Sequence, residues 1–384
     1  MKILMIANTD GALYNFRKPL IKKLISEGFE VHSISSSKSP EGSYIRLLEK
    51  LGVHTHIVEF DNSVGIFDNF SIFSDINKIV KEVSPDIVHS FTHKPAIFGT
   101  FSARLNGAKK IFITVTGLGR LFSYDTFKFK VYRKVLLNQY RLACRFSSKV
   151  FFQNPDDMDF FIEKKIVKKD RAVLTPGSGI DLEEFSFSKE KIKISKDFLS
   201  QELGIDVKNK IIVLFPARAL PEKGFFEFYK SAKFISQLTD KYVFIHLGSA
   251  YPDAGLDEKK IKYLSVESKV FYLGFKKNIK DYMLASDIVV LPSYYREGIP
   301  RSLIEALALD KIIITTNLPG CRETVIDGWN GFFVRERDWR NLTEKILSID
   351  ENTIKKFSSR SILLARKYFD SRILVNLTLK EYLG

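Results

Sequence analysis

Glu297 and Glu305 bracket the stretch Glu297-Gly-Ile-Pro-Arg-Ser-Leu-Ile-Glu305, with seven residues between them. An ionised carboxylate accepts two hydrogen bonds at once, which suits a vicinal diol. One acid on a Gly-Pro turn and a second about a turn into an apolar helix could hold two sets of hydroxyls, such as those of a sugar and a ribose. Pro300 suits the first position of that helix. A pair at this spacing also arises by chance as solvated side chains, so the surroundings decide. The strand-like run Asp287–Leu291 precedes it, and the helical run Leu303–Leu309 and the strand-like run Ile312–Thr315 follow. The carboxyl end of a parallel strand is where open α/β sheets take ligands.

Other strand ends carry chemistry too. Phe215-Pro-Ala-Arg218-Ala-Leu-Pro-Glu-Lys223-Gly224 sets two cations around a turn that opens a helix. Cations beside helix N–H groups can cradle a diphosphate, and the same pattern also fits a solvated turn. In Asn8-Thr-Asp-Gly11, the glycine allows close backbone approach to a phosphate or sugar, or simply a turn. Asp86-Ile-Val-His89-Ser-Phe-Thr-His93-Lys94 places two histidines and a lysine at one strand end. A single histidine there is most simply a core residue; the grouping favours a site. Asp157-Met-Asp159 matches a D-x-D metal motif, but it follows Asn154-Pro, and acids are what a helix start prefers. No His/Cys cluster has ligand spacing, so no metal is expected.

The elements that would position these residues alternate strand and helix. Apolar strand-like runs fall at Ile3–Ala7, Val31–Ile34, Ile87–His89, Ile111–Val115 and Val150–Phe152, with helical stretches such as Phe16–Ser26 and Phe70–Val83 between them. A second series runs through Ile211–Phe215, Tyr242–Leu247, Val270–Leu273, Ile288–Leu291 and Ile312–Thr315. Continuous apolar strands alternating with helices predict parallel sheets covered on both faces, and two series predict two doubly wound domains. Pro176, Gly177 and Gly179 suit the join. The expected division is residues 1–178, residues 179–356, and a helical tail over 357–384.

Composition narrows the classes. At 384 residues and 45% apolar content, two cores are within reach. Two distant cysteines, Cys144 and Cys321, form no disulfide framework and fit a reducing compartment. The apolar start at Met1–Ala7 is too short for a signal-peptide core, and no run approaches the ~20 residues of a membrane span. These features predict a cytoplasmic protein, peripheral on the inner face of the membrane if it touches lipid. The net charge of +15 is uneven: residues 1–180 carry 27 basic and 17 acidic side chains. Such a balance fits an anionic partner as well as it fits a lysine-rich composition. Arg120–Lys149 holds eight basic residues against Asp125, interleaved with Phe122, Tyr124, Phe127, Phe129 and Tyr132. That stretch can lie on an anionic membrane, with Lys128, Lys130, Arg133 and Lys134 in contact, or it can be a solvated helix with its aromatics in the core.

Glu297–Glu305 resembles the E-x7-E motif of the retaining GT-B glycosyltransferases of the GT4 family. Arg218 to Gly224 is similar to that family's G-R-x4-K-G diphosphate motif, with Phe215-Pro-Ala where a glycine often precedes the arginine. Thr92–Gly99 and Thr114–Gly119 look most like the capsule and N-glycan transferases that act on undecaprenyl-diphosphate sugars. The resemblance covers most of the chain. It implies a GT-B fold of two Rossmann-like domains facing across a cleft, with the tail returning to the first. It also implies a donor, here a UDP-N-acetylhexosamine, held by the second domain, and a lipid-linked saccharide acceptor in the first. By resemblance Glu305 binds the ribose, and Glu297 holds the sugar with backbone near Ile299, Pro300 and Arg301. Arg218 and Lys223 stabilise the leaving diphosphate, and Gly11 faces it. The family's second histidine is Phe91 here, so His93 is the expected replacement, with Lys94 near the acceptor. Asn317–Glu323 and Asp327–Phe332 resemble the stretch that closes the donor site. Hinge closure, retention at the anomeric carbon and no cofactor are implied as well. A UDP-sugar 2-epimerase of the same fold and a basic nucleic-acid-binding protein are the other classes; the motif pair disfavours the first, and no recognised module supports the second.

Overall fold

The computed structural model describes residues 1–38, 42–60, 66–119, 122 and 125–384, with the backbone alone for 66–69. Arg120 and Tyr124 of the basic stretch lie outside the described residues. The chain divides into two compact units, Met1–Gly179 with Ser371–Gly384, and Ile180–Asp370.

The first unit holds seven strands: β1 Lys2–Thr9, β2 Glu30–Ser36, β3 His54–Ile57, β4 Ile87–Phe91, β5 Lys110–Val115, β6 Lys149–Phe152 and β7 Ala172–Leu174. All neighbours pair in parallel, in the order β3-β2-β1-β4-β5-β6-β7. Around the sheet lie α1 Asp10–Ser26, α2 Ile45–Lys50, α3 Ile66–Val83, α4 His93–Leu105, α5 Phe127–Phe146 and α6 Pro155–Glu163. Central strands buried along their whole length, such as Ile3–Ile6, require helices on both faces. Gly99 shows how close that packing is: a Cβ there would lie 2.4 Å from the Ser90 hydroxyl.

The second unit contains α7 Lys189–Leu203, then β8 Ile211–Pro216, α8 Phe225–Leu238, β9 Tyr242–Leu247, α9 Glu258–Ser268, β10 Val270–Gly274, α10 Ile279–Ala285, β11 Ile288–Leu291, α11 Arg301–Ala308, β12 Ile312–Thr316, β13 Gly331–Val334, α12 Trp339–Leu347 and α13 Glu351–Leu364. Its six strands are again parallel, in the order β10-β9-β8-β11-β12-β13. Three strands were not foreseen: β3, β7 and β13 are edge strands of only three or four residues, and β3 (His-Thr-His-Ile) has little apolar signal as well.

The tail divides at a different place from the expected one. Residues 357–370 belong to the second unit, because Phe357, Leu364, Ala365 and Phe369 are buried in its core. Only α14, Ser371–Leu383, belongs to the first unit. There Val375, Leu379 and Tyr382 join the core formed with β1 and α1.

Candidate active site

In each sheet the strand order reverses once, between β1 and β4 in the first unit and between β8 and β11 in the second. Crevices at the carboxyl ends of such strand pairs are the ligand sites of doubly wound sheets. Gly11 follows β1, His93 and Lys94 follow β4, Arg218 and Lys223 follow β8, and Glu297 follows β11.

In the second unit the loops after β8 and β11 are stitched together. The Glu222 carbonyl accepts the N–H of Tyr294 at 2.8 Å, that of Tyr295 at 3.1 Å and the Ser293 hydroxyl at 3.2 Å. Gly224, at φ +83°, lies so close to Pro292 that a Cβ would sit 2.3 Å from its ring. Lys223 Nζ therefore reaches Glu297 and donates to its Oε1, which also accepts the Ser293 hydroxyl at 3.1 Å. The two charged side chains are only 15% and 11% exposed, and Lys223 also lies over the Tyr295 ring, 5.2 Å from its centre. Gly320, at φ +86°, supports this loop from below: a Cβ would fall 1.6 Å from the Gly298 carbonyl oxygen.

Glu305 lies on α11, where Arg301 Nε donates to its Oε1 at 2.9 Å. Pro300 is the N-cap, one residue before the first helical position, and offers no side-chain hydrogen bond to the first turn. Ile299 is buried in the core beneath. Thus Glu297 pairs with Lys223, and Glu305 pairs with Arg301, four residues away.

Arg218 is exposed, and its guanidinium lies 5.4 Å from the Tyr251 ring centre. The turn that carries it is fixed by groups the sequence did not advertise. His246 Nε2 donates to the Ala217 carbonyl at 2.9 Å, which leaves Nδ1 to accept from the Tyr229 hydroxyl, also at 2.9 Å. Burial pushes His246 down to about 4, so it is neutral near pH 7. Gly248 packs on the same carbonyl, where a Cβ would lie 1.9 Å away. The one available signal was a histidine inside an apolar strand.

In the first unit, Gly11 is in the first turn of α1 rather than in a loop, and its N–H donates to the Asp10 carboxylate at 2.7 Å. Asp10 also accepts the Ser43 hydroxyl at 2.9 Å and the Tyr44 N–H at 2.6 Å, so it anchors a neighbouring loop. His93 opens α4, after Thr92 at φ +72°. That is a conformation most residues avoid and one that gathers at functional sites. His93 Nδ1 is hydrogen-bonded to the Tyr140 hydroxyl at 2.6 Å, and burial lowers His93 to about 4. Lys94 is half-buried beside it. His89 belongs to the core: one ring nitrogen bonds the Thr114 hydroxyl at 2.7 Å and the other the Tyr382 hydroxyl.

Asp157 and Asp159 lie on α6, whose cap Asn154 accepts the Asp157 N–H at 2.8 Å and donates its amide to the Asp157 carboxylate at 3.0 Å. Among the described residues no group of three or more His, Cys, Asp or Glu side chains is arranged to hold a metal. No described helix is long and apolar enough to cross a membrane.

α5 has two faces. Leu136, Tyr140, Ala143 and Cys144 turn inward. Outward stand Phe127, Val131 and Val135 at 82%, 45% and 51% exposure, spaced by four, with exposed Lys128, Lys130 and Lys134 beside them. Arg133 departs from this row: it is half-buried, donates to Asp125 at 2.8 Å and lies over the Phe122 ring.

Residues 2–154 match the family described as glycosyl transferase 4-like, and residues 195–362 match glycosyl transferases group 1. The chain is 30% identical over 388 residues to an N,N'-diacetylbacillosaminyl-diphospho-undecaprenol alpha-1,3-N-acetylgalactosaminyltransferase of Campylobacter jejuni, covering 100% of this chain and 98% of that one. It is 24% identical over 355 residues to an Escherichia coli UDP-Gal:alpha-D-GlcNAc-diphosphoundecaprenol alpha-1,3-galactosyltransferase, covering 88% and 84%. Among solved structures, Anabaena Alr3699/HepE with UDP-glucose aligns over 100% of this chain and 99% of its own at a TM-score of 0.80 and 20% identity. WaaG, a lipopolysaccharide glycosyltransferase, aligns over 98% and 99% at 0.68 and 15%. With the full length shared at that identity and both halves matched, this chain belongs to the GT4 family of GT-B glycosyltransferases.

Proposed function

We propose that the enzyme moves an N-acetylhexosamine from a UDP donor onto a polyprenyl-diphosphate-linked saccharide, with retention at the anomeric carbon. The observation that carries the donor half is the nearly buried Lys223–Glu297 pair at the β8/β11 reversal, one loop from Glu305 on α11. A carboxylate already engaged by an ammonium has a fixed direction, and in this reading Glu297 faces the sugar hydroxyls from that position. Lys223, with Arg218, supplies positive charge where the departing UDP becomes more negative. Preorganised charge of this kind is usually the largest catalytic term, with one donor worth ~3 kcal/mol. Glu305 receives the ribose hydroxyls. Retention follows if a departing phosphate oxygen takes the acceptor proton on the face the donor leaves. The acceptor class rests on the Campylobacter relative, whose name specifies an undecaprenyl-diphosphate substrate. Lys94 in the first unit is assigned to that partner, and His93 to contact with the donor or the acceptor.

The outward face of α5 supports a peripheral position on the inner face of the plasma membrane. Exposed apolar residues flanked by lysines bind anionic lipid through both burial and charge. The decisive experiment measures UDP release over a panel of UDP-sugars, with and without polyprenyl-diphosphate saccharide, in EDTA. Release that requires one donor and the lipid is expected. Lipid-independent conversion of the donor to an epimer would overturn the transferase assignment, and activity restored only by Mg²⁺ would overturn the metal-free one.

A further inference from the structure

A charged cavity lies at the amino-terminal edge of the first sheet. α5 leads into β6 and α6 leads towards β7, so the ends of these helices sit at the amino-terminal edge of the strands. Gly11 and His93 stand at the carboxyl edge. Between the two helix ends is a cavity of about 680 Å³ lined by Arg141, Arg145, Lys165, Lys168, Lys169 and Arg171. Its remaining wall is Cys144 with the apolar Ile162, Ile166 and Val167. Among the described residues none of the six cations forms an ion pair, although Glu163 and Asp170 are close in sequence. Two of the three guanidinium groups are held in place, and that of Arg145 is exposed. Arg171 Nη1 donates to the carbonyls of Arg145 and Ser147 at 3.1 and 3.3 Å, and Arg141 donates to Asn138 Oδ1 at 2.5 Å and to the Lys164 carbonyl at 3.1 Å.

Six like charges around one space repel each other, and among the described residues only the carbonyls at the ends of α5 and α6, not a carboxylate, offset part of that charge. Fixed guanidinium groups with lysines around them match phosphate oxygens in geometry as well as charge. We propose that this cavity is a phosphate-binding site, separate from the donor site, for a phosphate carried by a lipid headgroup or by a soluble anion. The site needs neither the acceptor nor the donor assignment made above. Arg141 and Arg145 share α5 with the exposed Leu142 and Phe146, so a headgroup could enter beside that apolar face.

The test compares the wild-type enzyme with Arg145→Ala/Lys168→Ala/Lys169→Ala and with the charge-keeping Arg145→Lys/Lys168→Arg/Lys169→Arg. Each is titrated calorimetrically with inorganic pyrophosphate, and each is sedimented with phosphatidylglycerol or phosphatidylcholine vesicles. The wild type and the charge-keeping variant are expected to bind one more pyrophosphate than the alanine variant, or to hold phosphatidylglycerol vesicles about tenfold more tightly, with UDP affinity equal in all three. A difference confined to pyrophosphate assigns a soluble ligand, and one confined to the anionic vesicles assigns a headgroup. An alanine variant that matches the wild type in both assays overturns the proposal, whatever becomes of the transferase reaction.

Discussion

Alanine at Gly320 would test whether the Glu297 loop must stand where it does. Two penalties are separable. The first is conformational: at φ +86° an L-residue bears about 1–2 kcal/mol of strain. The second is steric, because the new Cβ would lie 1.6 Å from the Gly298 oxygen and 2.8 Å from Glu297 Cβ. Relieving the first contact needs a displacement of about 2 Å, given that unstrained heavy-atom contacts begin near ~3.5 Å. The atoms that move are backbone, so the shift reaches the carboxylate, and a misplacement of ~1 Å can lower a rate about 100-fold. Gly204→Ala is the control, since Gly204 has φ +67° and a Cβ added there would meet nothing within 4 Å. Both substitutions should lower the unfolding midpoint, the control by about 2–8 °C, taking ~2–4 °C per kcal/mol for a unit of this size. Only Gly320→Ala should lose about 100-fold in kcat/KM for the donor, measured by UDP release well below the transition. A Gly320→Ala enzyme within about threefold of wild type would refute the reasoning, because the loop would then tolerate the displacement.

Two further outcomes follow from the same unit. Glu305→Ala should weaken UDP binding about tenfold and Glu297→Ala much less, since UDP lacks the sugar assigned to Glu297; equal dissociation constants by calorimetry would remove both roles. His246 is fully buried and lowered to about 4, so below pH 6.5 the unfolded chain takes a proton that the folded one refuses. Its stabilising contribution is therefore complete above pH 6.5 and is lost as the pH falls to 4, amounting to about 3 kcal/mol at 1.36 kcal/mol per pH unit. His246→Gln should make the melting temperature less steep against pH over that interval, with His93, also lowered to about 4, keeping part of the slope; an unchanged slope would contradict it.

The parts of this protein legible in its sequence were those written in apolar runs and turn residues. Ile211–Phe215 and Ile288–Leu291 are continuous because both faces of their sheet are covered, and their loops carry Arg218, Lys223 and Glu297 in recognisable order. What escaped was set by contacts distant in sequence. Nothing local in Phe-Ile-His246 says that its ring bonds Tyr229 and Ala217. Gly11 read as a loop glycine because the cap that starts α1 is Thr9, two residues earlier. The tail seemed to begin at Phe357 because α13 and α14 carry the same charged, amphipathic pattern, and only packing assigns them to different units. Arg133 counted as one more base in a basic run until Asp125 and Phe122 were found beside it.

The placement of α14 bears on how the chain is made. Tyr382 bonds His89, and Lys110 Nζ donates to the Tyr382 carbonyl at 2.9 Å, so the first sheet is sealed by residues that leave the ribosome long after it. Between Gly179 and Ser371 lies the whole second unit. At ~5–20 residues per second that gap takes about 10–40 s to translate. During it, α1 and β1 present the apolar surface that Val375, Leu379 and Tyr382 will cover. The second unit can complete its core while the first still waits, which reverses the usual order of folding from the amino terminus and makes the nascent first unit a natural client for chaperones.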